Sequence, residues 1–135
     1  MKIHSPKAAH EFFKTRLARE VEEFWTAALN SNREVIAAAC LFRGTVDQCL
    51  FHPRDVFRFA YLHNAVSIVV AHNHPSGDVR PSPLDLNVTG QLLDVAVILQ
   101  VPVEDHLIVA GDRYFSFLQN NLMGSRSKVP ASPAY

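Results

Sequence analysis

Residues 65–100 read AVSIVVAHNHPSGDVRPSPLDLNVTGQLLDVAVILQ, and this stretch decides the fold. Residues 65–71 form a β-branched run with almost no polar relief, the pattern of a central strand covered on both faces. The run leads straight into His72, and residues 73–81 are a loop rich in Pro, Gly, Ser and Asp. From residue 82 to residue 100, Leu84, Val88, Leu92, Val95, Ala96 and Leu99 recur at helical spacing. Ser82 supplies an N-cap and Pro83 the first helical position. A covered strand, a tight loop and a long helix in succession predict a domain of the α/β class.

Working outward, residues 103–110 and 114–117 read as two strands joined by the turn Gly111-Asp112-Arg113. Upstream, Ser5-Pro6 opens a helix with Ala9, Phe12, Phe13 and Leu17 on one face. Residues 22–29 and 35–42 make a hairpin around Asn30-Ser31-Asn32, and residues 46–51 a third short strand. Pro53-Arg54-Asp55 begins a helix carrying Val56, Phe57, Phe59, Ala60 and Leu62, which ends near His63-Asn64. The expected architecture is a mixed, mostly antiparallel sheet flanked by helices. One domain is expected over residues 1–123, followed by a disordered tail at 124–135, where periodicity gives way to Ser, Pro and Ala.

Composition bounds the function. The 135 residues are 48% hydrophobic and 19% charged, with 13 Lys+Arg against 13 Asp+Glu, which excludes a disordered chain, a coiled coil and a uniformly basic nucleic-acid binder. A chain of this length buries enough surface to fold without disulfides or a structural metal. Cys40 and Cys49 are read as small hydrophobic thiols in a reducing, cytoplasmic compartment. The polar start, residues 1–6, does not resemble a signal peptide, and no apolar stretch approaches the roughly 20 residues of a membrane span. Neither a glycine-rich phosphate loop nor a Gly-x-Ser-x-Gly elbow is present.

Chemistry concentrates between Ala71 and Asp85. Side chains two apart on a strand face the same way, so His72 and His74 place two imidazoles together at the strand's C-terminal edge. Pro75 and Gly77 turn the chain, and the loop can return Asp85, in the first helical turn, toward them. Two imidazoles and a carboxylate leave a tetrahedral Zn²⁺ with one open position, which is a catalytic arrangement, whereas a structural zinc takes four protein ligands. Such a site also needs a general base and a donor for the oxyanion. Blander readings exist for each residue. Strand-end histidines can bond backbone, an acid in a first helical turn is favoured by the dipole, and Ser82 serves naturally as a cap. His106 reads as a structural partner for a loop, His52 and His63 as surface or capping residues, and Arg43, Arg54, Arg58 and Arg80 as ordinary surface or a basic rim.

The spacing H-x-H-P-x6-S-x2-D, carried by His72, His74, Pro75, Ser82 and Asp85, resembles the JAMM/MPN (JAB domain) metalloprotease family. The wording His72-Asn73-His74-Pro75-Ser76-Gly77, Pro81-Ser82, Leu41-Phe42-Arg43-Gly44-Thr45, Pro53-Arg54 and Asp105-His106 is similar to its RadC branch, from about Ser5 to Leu122. The resemblance implies a JAB/MPN fold, cytidine-deaminase-like in layout, with zinc held by His72, His74 and Asp85. It also implies that Ser82 steadies the tetrahedral intermediate and that a glutamate on an early strand is the base. The family's E-x-F-x-x-x-x-L pattern falls on Glu22, Phe24 and Leu29; a slip of one residue would exchange Glu22 for Glu23. A metallohydrolase acting on a peptide or isopeptide-linked protein is the first expectation. A DNA-associated accessory protein of the RadC type and a catalytically idle metal-binding interaction module are the others. RadC proteins as a rule carry an N-terminal helix-hairpin-helix region, which this chain is expected to lack, and its neutral charge gives nucleic-acid binding little support. Ala39 and Cys40 stand where several relatives have acidic residues.

Overall fold

The computed structural model describes residues 1–44 and 51–124. The chain runs α1 (Pro6–Phe13), β1 (Glu23–Leu29), β2 (Val35–Arg43), α2 (Pro53–Leu62), β3 (Ser67–Asn73), α3 (Pro83–Leu99), β4 (Val103–Ala110) and β5 (Arg113–Ser116). One five-stranded sheet has the order β2-β1-β3-β4-β5. β3 and β4 are parallel, with α3 crossing between them, and every other pairing is antiparallel. The mixed, mostly antiparallel sheet flanked by helices is therefore the architecture found. The expected strand at 46–51 falls almost wholly on residues outside the described ones, as do Cys49 and the 125–135 tail.

Strand alternation divides β3 between two cores. Ile68 and Val70 join Phe24, Val56, Phe57, Val88, Leu92, Ile108 and Phe117 beneath α2 and α3. Val69 and Ala71 join Ala9, Phe12, Phe13, Leu107 and Val109 beneath α1. Every residue of β3 is buried, as its unrelieved apolar sequence requires. β3 starts two residues later than the sequence predicts because the turn that closes α2 takes up Asn64 and Ala65. Asn64 adopts φ 53°, the Ala65 amide bonds the Ala60 carbonyl at 2.8 Å, and pairing begins with the Val66 amide on Leu29. The shift carries His72 and Asn73 inside the strand, and the His74 amide still reaches Val109.

Local chemistry fixes the other elements that frame this strand end. Ser5 caps α1 through its side chain, with Pro6 at the first position. Ser82 and Asp85 form a reciprocal capping box on α3. α3 ends at Gln100 in the left-handed conformation. Among the described residues no helix is long and apolar enough to cross a membrane. Both cores close without a metal-ligating side chain at their centres, so protein stripped of metal by a chelator should still unfold in one cooperative step. Circular dichroism melting checks this; a molten, non-cooperative chelated protein would contradict it.

Candidate metal centre

The C-terminal end of β3 presents His72 and His74 to the α3 side and Asn73 to the opposite side. The turn after β3 closes with the Gly77 amide on the His74 carbonyl, and Gly77 sits at φ 89°, where a side chain would be strained. That turn swings the Asp78 carbonyl back onto His74 Nδ1 at 2.7 Å. A carbonyl only accepts, so His74 Nδ1 carries hydrogen and its Nε2 points inward. Asp85 arrives from the first turn of α3, its carboxylate taking the Ser82 amide on Oδ2 at 2.8 Å.

These groups converge tightly. His72 Nε2 lies 3.0 Å from Asp85 Oδ1, His74 Nε2 lies 3.1 Å from Asp85 Oδ2, and the two Nε2 atoms are 3.1 Å apart. In a tetrahedral zinc site with bonds of about 2.0–2.1 Å, neighbouring ligand atoms stand about 3.3 Å apart. With both histidines neutral and His72 likewise holding its hydrogen on Nδ1, against His106 Nε2, all the atoms facing inward are acceptors. One proton on His74 relieves some of those contacts; a dication between them relieves all of them. The donor set of two imidazoles and a carboxylate fits zinc.

The electrostatics agree. Burial works to raise the Asp85 pKa, but His72, His74 and the Ser82 amide outweigh it and hold the carboxyl ionised well below the usual range. The contact with Asp85 raises His74, against its partial burial. Glu22 completes the cluster: its carboxylate oxygen, His72 and His74 offer ligand atoms all within 4.8 Å of one another. Glu22 thus stands at the rim, farther out than Asp85.

Adjacent glutamates take opposite sides. Glu23 is 2% exposed and turns away, its Oε1 accepting from the Ala18 amide and the Trp25 indole while Oε2 meets Arg43 at 2.6 Å. Burial would raise its pKa, but these partners keep it lowered. Asn73, inside the His-x-His pair, grips the segment that carries Glu22. Its Oδ1 accepts from the Glu23 amide at 2.7 Å, and its amide nitrogen donates to the Ala18 and Val21 carbonyls. The Gly44 amide donates to the Glu22 carbonyl. The sequence places Asn73 at the head of the loop and within the family's wording, without a clamping role; its position between two same-facing histidines on a strand is the signal that points to one.

Other expectations resolve by position. His106 does not support a loop: it is fully buried beneath α3, with Nε2 2.8 Å from His72 Nδ1. Its partner Asp105, on the α1 side, does the loop work by accepting from Ser116 Oγ and the Leu118 amide. His52 and His63 are the cap residues of α2. Arg43 and Arg80 are engaged by Glu23 and Asp78. Cys40 is a half-buried free thiol, raised by burial.

An α/β sheet with a His-x-His strand end and an aspartate from the following helix defines a JAB-type domain with a candidate metal centre. The chain belongs to the RadC-like JAB domain family, whose model matches residues 3–122. It is 40% identical over 131 residues to the UPF0758 protein YeeS of Escherichia coli K12, covering 90% of this chain and 87% of that one. It is 38% identical over 120 residues to YfjY of the same organism, covering 88% and 75%. The match to STH371 of Symbiobacterium thermophilum, also 38% identical, covers 51% of that longer protein.

The shorter contacts predict that Asp85→Asn weakens zinc binding far more than Glu22→Gln. Competition with a chromophoric chelator measures this, and equal losses would place both carboxylates on the metal. The pKa directions predict opposite pH trends with and without zinc. His74, raised on folding, stabilises the metal-free protein fully below its unfolded pKa of about 6.5, and that contribution is lost as pH rises through the folded value. Asp85, lowered on folding, contributes above about 3.9 and is lost only as pH falls toward its folded pKa. Between about pH 7 and about pH 9, where the buried His106 is neutral in the folded and unfolded chain alike, the chelated protein should therefore lose melting temperature as pH rises. Stabilisation by added zinc should grow over the same interval, because less proton has to be displaced. Parallel melting curves with and without zinc would contradict this.

Proposed function

We propose that this RadC-like JAB domain is a zinc-dependent metallohydrolase of the JAMM type, cutting a peptide or isopeptide bond. The observation that supports the reading is the convergence of His72, His74 and Asp85 within 3.1 Å, with Glu22 held just outside them. Bound zinc would supply a Lewis acid that polarises the scissile carbonyl and lowers the pKa of a water toward about 7.

The chain's own residues supply the remainder. Glu22 is half-buried and anchored through backbone on both sides, so its carboxylate can take a proton from the attacking water and pass it to the leaving amine. Ser82 Oγ accepts from the Asp85 amide at 3.1 Å through a lone pair, which leaves its hydroxyl proton free to donate to the developing oxyanion. Capping and catalysis therefore use different parts of one hydroxyl.

The test is hydrolysis of a panel of fluorogenic peptides and lysine-linked isopeptides by the zinc-loaded protein. Glu22→Gln should keep stoichiometric zinc and lose about 10²–10⁴-fold in rate, as removal of a general base does. Ser82→Ala should lose up to about 10²–10³-fold, as oxyanion donors do, with a smaller loss in helix stability. A Glu22→Gln protein as fast as the wild type would overturn the mechanism. Stoichiometric zinc with no turnover across the panel would favour an idle interaction module.

A further inference from the structure

Beneath the candidate centre lies a buried polar chain that the proposed reaction does not use. His72 Nδ1 meets His106 Nε2 at 2.8 Å, His106 Nδ1 meets Thr89 Oγ1, and Thr89 Oγ1 meets the Asp85 carbonyl at 3.0 Å. His106 and Thr89 are 0% and 3% exposed. The space enclosed by Phe24, His72, Asp85, Val88 and His106 is too small for a water. Phe117 stacks on the His106 ring at 4.4 Å and fixes its plane.

Hydrogen counting gives this chain a direction. The Asp85 carbonyl can only accept, so Thr89 spends its single proton there and can only accept from His106. His106 Nδ1 therefore carries hydrogen, and in the neutral ring its Nε2 is bare. The ring is fully buried with no carboxylate bonded to it, a setting that favours the neutral form. A bare Nε2 must accept, so His72 Nδ1 carries hydrogen and His72 Nε2 presents its lone pair to Asp85 and His74. Only this assignment makes all three contacts hydrogen bonds. An apolar residue at position 106 would be cheaper to bury among Ile108, Phe24 and Phe117, so the imidazole's presence calls for a use.

We infer that His106, backed by Thr89, is a positioning residue that holds His72 in the one tautomer able to ligate a metal through Nε2. The inference rests on His72 being a ligand, as proposed above. Thr89 is one helical turn beyond Asp85 on α3, so the same helix delivers the carboxylate and sets the tautomer of the imidazole opposite it. Outer partners of this kind typically change metal affinity by about 10–100-fold.

The experiment measures zinc affinity by chelator competition for wild type, His106→Leu, His106→Gln and Thr89→Val, with the tautomers of the wild type read from ¹⁵N-coupled imidazole spectra of the metal-free protein. The expected results are a roughly 10–100-fold loss in His106→Leu and recovery of most of it in His106→Gln, whose side-chain carbonyl can replace the bare nitrogen. A loss in the same direction in Thr89→Val and a neutral Nδ1–H signature for His106 complete the expectation. Should His106→Leu fail to fold, Thr89→Val, nearly equal in shape, decides. Wild-type affinity in a folded His106→Leu or in Thr89→Val, or an Nε2–H tautomer at His106, would overturn the inference. A wild-type protein that binds no zinc would instead remove the reading on which it rests.

Discussion

Everything at the functional end of this domain depends on the period of two in one buried strand. β3 is covered on both faces, so each of its side chains is committed to one core or the other. At its C-terminal end this alternation sends His72 and His74 to the α3 side and Asn73 to the α1 side. The candidate metal ligands and the clamp on the Glu22 segment are therefore adjacent in sequence and opposite in space. A one-residue slip of register would exchange them.

The second constraint is electrostatic. Asp85 and the two histidines form a site in which inward-facing acceptors outnumber protons, and α3 is capped by the same carboxylate. Capping chemistry thus positions the candidate ligand: the Ser82 amide holds one oxygen of Asp85, and the Ser82 hydroxyl takes the Asp85 amide, which fixes the first turn of α3. Stability and candidate chemistry share residues without competing for the same lone pairs. Because both apolar cores are filled by hydrophobic side chains and the candidate ligands only border one of them, zinc at this position would be held for chemistry and not for folding.

Much of this was legible in the sequence. The covered strand, the capped helix and the spacing of His72, His74 and Asp85 are local patterns, and local patterns survive folding. The ambiguity between Glu22 and Glu23 was not local: it turns on where β1 begins, and Asn73 and Arg43, distant in sequence, decide which glutamate faces inward. His106 was misread because its role depends on the parallel pairing of β4 with β3, which brings it diagonally beside His72 and which no short motif encodes. The two-residue shift of β3 arose from the turn after α2, where Asn64 takes a positive φ that only weakly marks the sequence.

The central claim is that His72, His74 and Asp85 form a three-ligand site with an open position. X-ray absorption spectroscopy of protein loaded with one equivalent of zinc tests it most directly. The account predicts four light-atom neighbours at about 2.0–2.1 Å, with the multiple scattering of two imidazoles and no sulfur shell. One imidazole or three, a sulfur neighbour, or no stoichiometric binding would contradict it.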